Sequence, residues 1–187
     1  MDDLAVRGGI AVIALASAAA SVFVLLVMLR AVTHKVLDFN ELQGFVADYR
    51  VVPESRAATA SAGVVAAEFA IVAAIALPAT RPIGLLAATA LLSGYAGLIA
   101  LNLARGHRRI ECGCGGAPQV LGAALIVRNA VLVLLALFAA ATPARLESTA
   151  ETVVVTSSGL CLLALYVLFE QLNANRQYLK TSEARSS

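Results

Sequence analysis

Charge is what this chain has least of. Asp, Glu, Lys and Arg together make up 14% of its 187 residues, against about 25% in an ordinary globular domain. Hydrophobic residues reach 60% and come in blocks, as in a chain built for a bilayer. The formal net charge is only +2. That excludes a nucleic-acid partner, which would need a basic face or stripe. Cysteine is scarce as well. Cys112, Cys114 and Cys161 are an odd set and too few for a disulfide framework. There is no glycine-rich nucleotide fingerprint, haem-attachment motif or metalloprotease helix, and no internal repeat.

What is present is a succession of long apolar runs. Residues 8–29 are 22 residues without a charge, enough at about 1.5 Å per residue to cross a roughly 30 Å hydrocarbon core. Ala16-Ser17-Ala18-Ala19-Ala20 resembles a signal cleavage site. However, the chain opens on Asp2 and Asp3, and the run is longer than a signal core, so a retained helix is the better reading. Runs at 57–77, 83–104, 120–141 and 152–172 bring the total to five. Pro78 and Arg81-Pro82 make a turn, Thr142-Pro143 breaks the fourth run, and the polar tail from Asn173 reads as frayed. Five spans leave no room for a soluble domain. The expected fold class is all-α, a polytopic membrane helix bundle with a four-helix core over 1–141 and a fifth helix and tail over 142–187.

Residues 36–50 are polar but patterned. Phe39, Leu42, Val46 and Tyr49 recur at helical spacing, with Leu37 and Phe45 near the same face. This predicts a short amphipathic helix at the membrane surface, capped by Asp38 with Glu41 or Asn40 with Gln43. Val52-Pro53 ends it.

The densest chemistry lies in the loop over 105–119. Cys112-Gly113-Cys114 follows His107, Arg108 and Arg109 and precedes the fourth span. Cations and a helix N-terminus lower a thiol pKa, so Arg108 and Arg109 would tune the thiolates. A disulfide across one intervening residue is strained, and strained, exposed disulfides exchange readily. Cys112 and Cys114 therefore read as a redox-active dithiol. A soft-metal site with His107, incomplete as a four-ligand set, and an inert pair are the competing readings. Cys161, alone among leucines, reads as a small hydrophobe.

Glu68 and Arg128 are taken as the charges deep inside spans. Such groups face the bundle interior with a partner, and both spans start from the same side, so an intramembrane Glu68–Arg128 pair is predicted, with Asn129 beside it. It is either a packing clip or a device for proton or quinone handling. No other cofactor is indicated. On one side of the bundle stand ten cations (Arg30, Lys35, Arg50, Arg56, Arg105, Arg108, Arg109, Arg176, Lys180 and Arg185), against Arg7, Arg81 and Arg145 on the other. The positive-inside rule then puts the cysteine loop in the cytoplasm.

Several stretches together resemble the methylamine-utilisation MauE family, within the wider DoxX-like membrane proteins. They are Lys35, Asp38, Phe45, Tyr49 and Val52-Pro53 after the first span; Glu68 in the second; Ile110-Glu111-Cys112-Gly113-Cys114-Gly115-Gly116; and Arg128-Asn129-Ala130 in the fourth. The resemblance covers roughly residues 8–141. The family usually carries an aromatic residue after the second cysteine, where this chain has Gly115. The resemblance implies a four-helix core of the DoxX or vitamin K epoxide reductase type in a bacterial inner membrane. It further implies thiol–disulfide exchange beside a thioredoxin-like protein to mature a disulfide-rich client, as for the methylamine dehydrogenase small subunit. Such a client is periplasmic, the opposite side from the charge count. A non-catalytic scaffold or chaperone and a metal-handling membrane protein are the alternatives.

Overall fold

The computed structural model describes residues 2–106, 122–142, 144, 146 and 148–186, with side chains described from residue 8 to residue 176 within those ranges. Among the described residues six helices follow one another: α1 (Asp2–Leu37), α2 (Phe39–Asp48), α3 (Ala57–Ala76), α4 (Arg81–Ala104), α5 (Ala123–Ala141) and α6 (Thr149–Ser186), with a 3-10 turn at Glu54–Arg56. The segments Gly8–Leu37, Glu54–Ala76, Arg81–Ala104, Ala123–Ala141 and Thr149–Arg176 are each long and apolar enough to cross a membrane. Among the described residues there is no strand. The all-α membrane bundle expected from the apolar runs is what forms.

The first helix is longer than its apolar run. It continues eight residues past 29, through Arg30 and Lys35, to Leu37. No proline or glycine interrupts this stretch, so nothing breaks the i to i−4 ladder. It ends at Asp38, whose φ of −112° and ψ of 44° leave the helical region. The capping box expected there does not form: Asp38 caps α2 without a side-chain hydrogen bond. Its carboxylate instead lies 3.5 Å from His34 Nδ1, one turn back.

The α3–α4 hairpin is built by its sequence. Leu77 turns extended at φ −85°, ψ 121°, ahead of Pro78, as a residue before proline prefers. The exposed carbonyls at the end of α3 are then taken up by side chains: Thr80 Oγ1 donates to Ala74 O at 2.9 Å and Arg81 Nε to Ile75 O at 3.2 Å. Pro82 occupies the first turn of α4, where its missing N–H costs nothing.

The core runs down the middle of the bundle. Phe23, Val24 and Met28 of α1 meet Ile71 and Ile75 of α3, Leu85, Ala88 and Leu92 of α4, and Leu132, Ala136 and Ala139 of α5. Helix α6 packs on α1 and presents Leu160, Leu165, Leu168, Phe169 and Leu172 outward. Between apolar helices in lipid, close approach of backbones replaces the hydrophobic drive, and glycine marks two such contacts. A Cβ on Gly84 would lie 2.7 Å from Ile75 N, and one on Gly159 would lie 2.5 Å from Val22 Cγ1.

Gly84→Ala is therefore expected to lower stability by about 1–3 kcal/mol, the usual cost of overpacking. Gly97→Ala, where a Cβ meets nothing within 4 Å, is expected to be neutral or stabilising. Denaturant unfolding in detergent micelles, followed by circular dichroism, checks both; equal midpoints would contradict the tight α3–α4 contact.

Candidate functional site

Four of the predicted site residues, Cys112, Cys114, Arg108 and Arg109, lie outside the described residues. The ends of their loop are in view. Helix α4 stops at Ala104, followed by Arg105 and by Gly106 at φ +80°, a backbone conformation that suits glycine. Helix α5 begins at Ala123. Beneath these two ends Tyr49, Ile99, Leu103, Leu125 and Ile126 pack together. Tyr49 is outside the spans; burial pushes its phenol above the ordinary value, and the Arg128 charge pulls the other way.

Glu68 is fully buried, at 0% exposure. Its partner is not Arg128. Lys35 Nζ donates to Glu68 Oε1 at 2.5 Å, and the Tyr95 hydroxyl donates to the same oxygen at 2.7 Å. Lys35 is itself 5% exposed and sits 5.1 Å from the centre of the Tyr95 ring. Arg128 meets Glu170 instead: its Nη1 donates to Glu170 Oε1 at 2.8 Å, and Arg30 Nη1 donates to Oε2 at 2.8 Å. The Tyr166 hydroxyl adds a bond to Oε1 at 2.9 Å and its ring stacks edge-on against Phe23 at 5.9 Å.

The predicted Glu68–Arg128 pair is thus corrected. The two residues do line one small cavity, with Asn129, Lys35, Tyr95 and Tyr166, but each has a nearer partner of opposite charge. The physical reason is the length of α1. By continuing to Leu37 it carries Arg30 and Lys35 into the bundle, where buried carboxylates need them. Five of the six helices, all but α2, supply a member of this polar layer.

Sequence reasoning missed Lys35, Arg30, Glu170, Tyr95 and Tyr166. The apolar run stops at 29, which puts Arg30 and Lys35 in a connection by hydropathy alone, although no helix breaker follows it. Glu170 lies near the end of the fifth run, where hydropathy does not single it out. Tyr166 precedes it by one turn, the spacing of a local hydrogen bond. Cys161 is exposed on α6, so as a small hydrophobe it faces outward from the bundle. Two of the cations counted for topology, Arg30 and Lys35, are ion-paired inside the helices and do not report a loop's side.

The profile described as "Methylamine utilisation protein MauE" matches residues 11–142. This chain belongs to the MauE family. A Paracoccus denitrificans protein named methylamine utilization protein MauE is 32% identical over 176 residues, covering 88% of this chain and 92% of its own. A like-named protein of Paracoccus versutus is 34% identical over 136 residues, 71% of this chain and 73% of its own. One from Methylophilus methylotrophus is 28% identical over 153 residues, 79% of this chain and 80% of its own. No solved structure matches this MauE-family chain. The matched residues 11–142 hold Lys35, Glu68, Tyr95, Arg128 and both loop cysteines; Glu170 lies beyond them.

Removing one member of a buried ion pair strands the other and costs about 3–5 kcal/mol, whereas replacing both by apolar groups is often near neutral. Lys35→Met is therefore expected to destabilise this protein by several kcal/mol, and Lys35→Met with Glu68→Leu to recover most of that loss. Unfolding midpoints in micelles of the two single variants and the double variant test this. Simple additivity would mean that the two side chains do not interact.

Proposed function

We propose that this protein is a thiol–disulfide redox component of a bacterial inner membrane that serves methylamine utilisation. In this reading Cys112 and Cys114 exchange electrons with a thioredoxin-like protein and thereby mature a disulfide-rich client. The observation that carries it is the Cys112-Gly113-Cys114 pair itself, beside Arg108 and Arg109, in a chain of the MauE family. The relatives' names supply the link to methylamine utilisation. The five apolar helices support a membrane location. The thiols belong to a loop whose flanking helices both carry the buried polar layer: Tyr95 is on α4 and Arg128 on α5.

Exchange proceeds by attack of a thiolate of one protein on the disulfide of the other, giving a mixed disulfide that the attacking protein's second thiol resolves. To form a client's disulfide, the partner's thiolate attacks the Cys112–Cys114 disulfide, which is reduced as the partner is oxidised. The chain's disulfide and the partner's dithiol interconvert, so two electrons and two protons pass between the proteins and nothing is left over. Arg108 and Arg109 favour the thiolate form needed for attack. Cys161, exposed on the outer face of α6, takes no part.

Two tests bear on this. Alkylation with a mass-tagged maleimide across a series of dithiothreitol ratios is expected to show two thiols per chain interconverting with a disulfide. Cys161→Ser should leave that behaviour unchanged; if Cys112 and Cys114 stay reduced at every ratio, the redox role is wrong. In cells, Cys114→Ser is expected to trap a mixed disulfide through Cys112. A scaffold would instead keep its function in the Cys112→Ser, Cys114→Ser variant.

A further inference from the structure

A chamber lies between α2 and the bundle. Its walls are Leu42, Phe45 and Val46 of α2, Tyr49, Val51 and Val52 after it, Ala60 and Val64 of α3, and Leu98 and Ile99 of α4. Its volume is about 200 Å³. An apolar cavity of about 150 Å³ already accepts a benzene ring, so this one has room for a substituted ring. The wall is almost entirely apolar. Two polar side chains interrupt it at the buried layer, Lys35 and Tyr95.

Those two groups also line the small cavity that holds Glu68. The Lys35–Glu68 pair is thus a partition. One side faces the apolar chamber. The other faces a space of about 20 Å³, enough for one water molecule. Glu68 Oε2 is buried there without a hydrogen-bond partner among the described residues. Lys35 carries three N–H donors and makes one hydrogen bond, to Glu68.

This combination selects a ligand. A plain alkyl chain would leave the lysine donors unmatched in an apolar wall, which is costly. A fatty acid carboxylate would bring a second anion to a lysine already paired with Glu68, an uncompensated charge in low dielectric. An uncharged ring bearing carbonyl acceptors meets both demands: the ring fills the apolar volume and a carbonyl oxygen accepts from a Lys35 N–H that Glu68 does not use.

We propose that the chamber beneath α2 binds the ring of a lipid-soluble quinone, with Lys35 Nζ donating to its carbonyl. Binding follows from the chamber and the lysine donors that Glu68 leaves free. The ligand's use rests on the thiol reading above. Oxidation of the two thiols to a disulfide releases two electrons and two protons, and a quinone taking up both becomes a quinol. Glu68 Oε2 stands behind Lys35 as an acceptor for a proton in transit.

The test uses the full chain in phosphatidylcholine nanodiscs with decylubiquinone as the probe, measured by equilibrium dialysis. Saturable binding of one molecule per chain is expected. Ala60→Phe, which fills the chamber from α3, is expected to weaken it at least tenfold, and Val64→Phe gives the same readout if that variant does not fold. The Lys35→Met, Glu68→Leu variant, which keeps the apolar volume and removes the donors, is expected to weaken binding about five- to tenfold, the loss of one hydrogen bond. Palmitate at the same concentration is expected not to compete. The Cys112→Ser, Cys114→Ser variant is expected to bind as the unaltered protein does, which separates this site from the thiol chemistry. Absent saturation, undiminished binding in folded Ala60→Phe, displacement by palmitate, or loss of binding in the double serine variant would each overturn the proposal.

Discussion

Two carboxylates buried among apolar helices set the terms for this protein. An ionised group in a low-dielectric interior is costly unless a charge of opposite sign and further hydrogen bonds meet it. Glu68 meets Lys35 and Tyr95; Glu170 meets Arg30, Arg128 and Tyr166. The first set joins α1, α3 and α4, and the second joins α1, α5 and α6. Helix α1 belongs to both. Packing alone directs membrane helices weakly, because lipid tails are as apolar as the side chains they would exchange for. Here the rotation and depth of each helix about α1 are fixed by where its polar side chain must sit.

That constraint also accounts for the path of the chain after α1. Lys35 lies in the last turn of its helix, while Glu68 is eleven residues into α3, a depth of about 17 Å at 1.5 Å per residue. Pairing them draws the end of α1 well below the start of α3. The chain must climb back before α3 can begin, and α2, ten residues long and so about 15 Å, covers most of that distance. It runs along α3 with Leu42 buried and its remaining apolar face over the chamber. The amphipathic pattern of Phe39, Leu42, Val46 and Tyr49 therefore serves the bundle as much as any membrane surface. The chamber is the space left between a helix that must climb and helices that run straight.

Much of this was legible in the sequence. Five apolar runs became five long helices, and Pro78 with Arg81-Pro82 became the hairpin between α3 and α4. The amphipathic segment became α2. Membership of the MauE family rested on residues that the family profile also covers. Glu68 stood out as a buried charge because nothing near it in sequence was polar. Its partner did not, for a physical reason. Hydropathy marks where a helix is comfortable in lipid, not where its hydrogen bonds stop. A helix whose charges are paired can continue past its apolar run, as α1 does through Arg30 and Lys35. Pairing across 33 residues, as in Lys35–Glu68, or 140, as in Arg30–Glu170, leaves no local signature. Reading cations as markers of a loop's side fails at those same two positions.

The fifth transmembrane helix then has a function beyond an added span. Without α6, Arg30 and Arg128 would share the bundle with one described intramembrane carboxylate, Glu68, already held by Lys35. Two guanidinium groups would be left to lipid or to a tilt that carries them to the headgroups, either at a cost of several kcal/mol. Glu170 removes both at once, because its two oxygens accept from different arginines. Helix α6 needs little other contact to do this. Among the described residues it packs chiefly on α1, closes on it at Gly159 and leaves Leu160, Leu165, Leu168 and Leu172 facing outward. Its polar contact with α5 through Arg128 is therefore what ties it to the half of the bundle that carries the cysteine loop. Arg128 is thus where α6 reaches the helix that leaves the cysteine loop, while Tyr166 and Leu163 reach the apolar core.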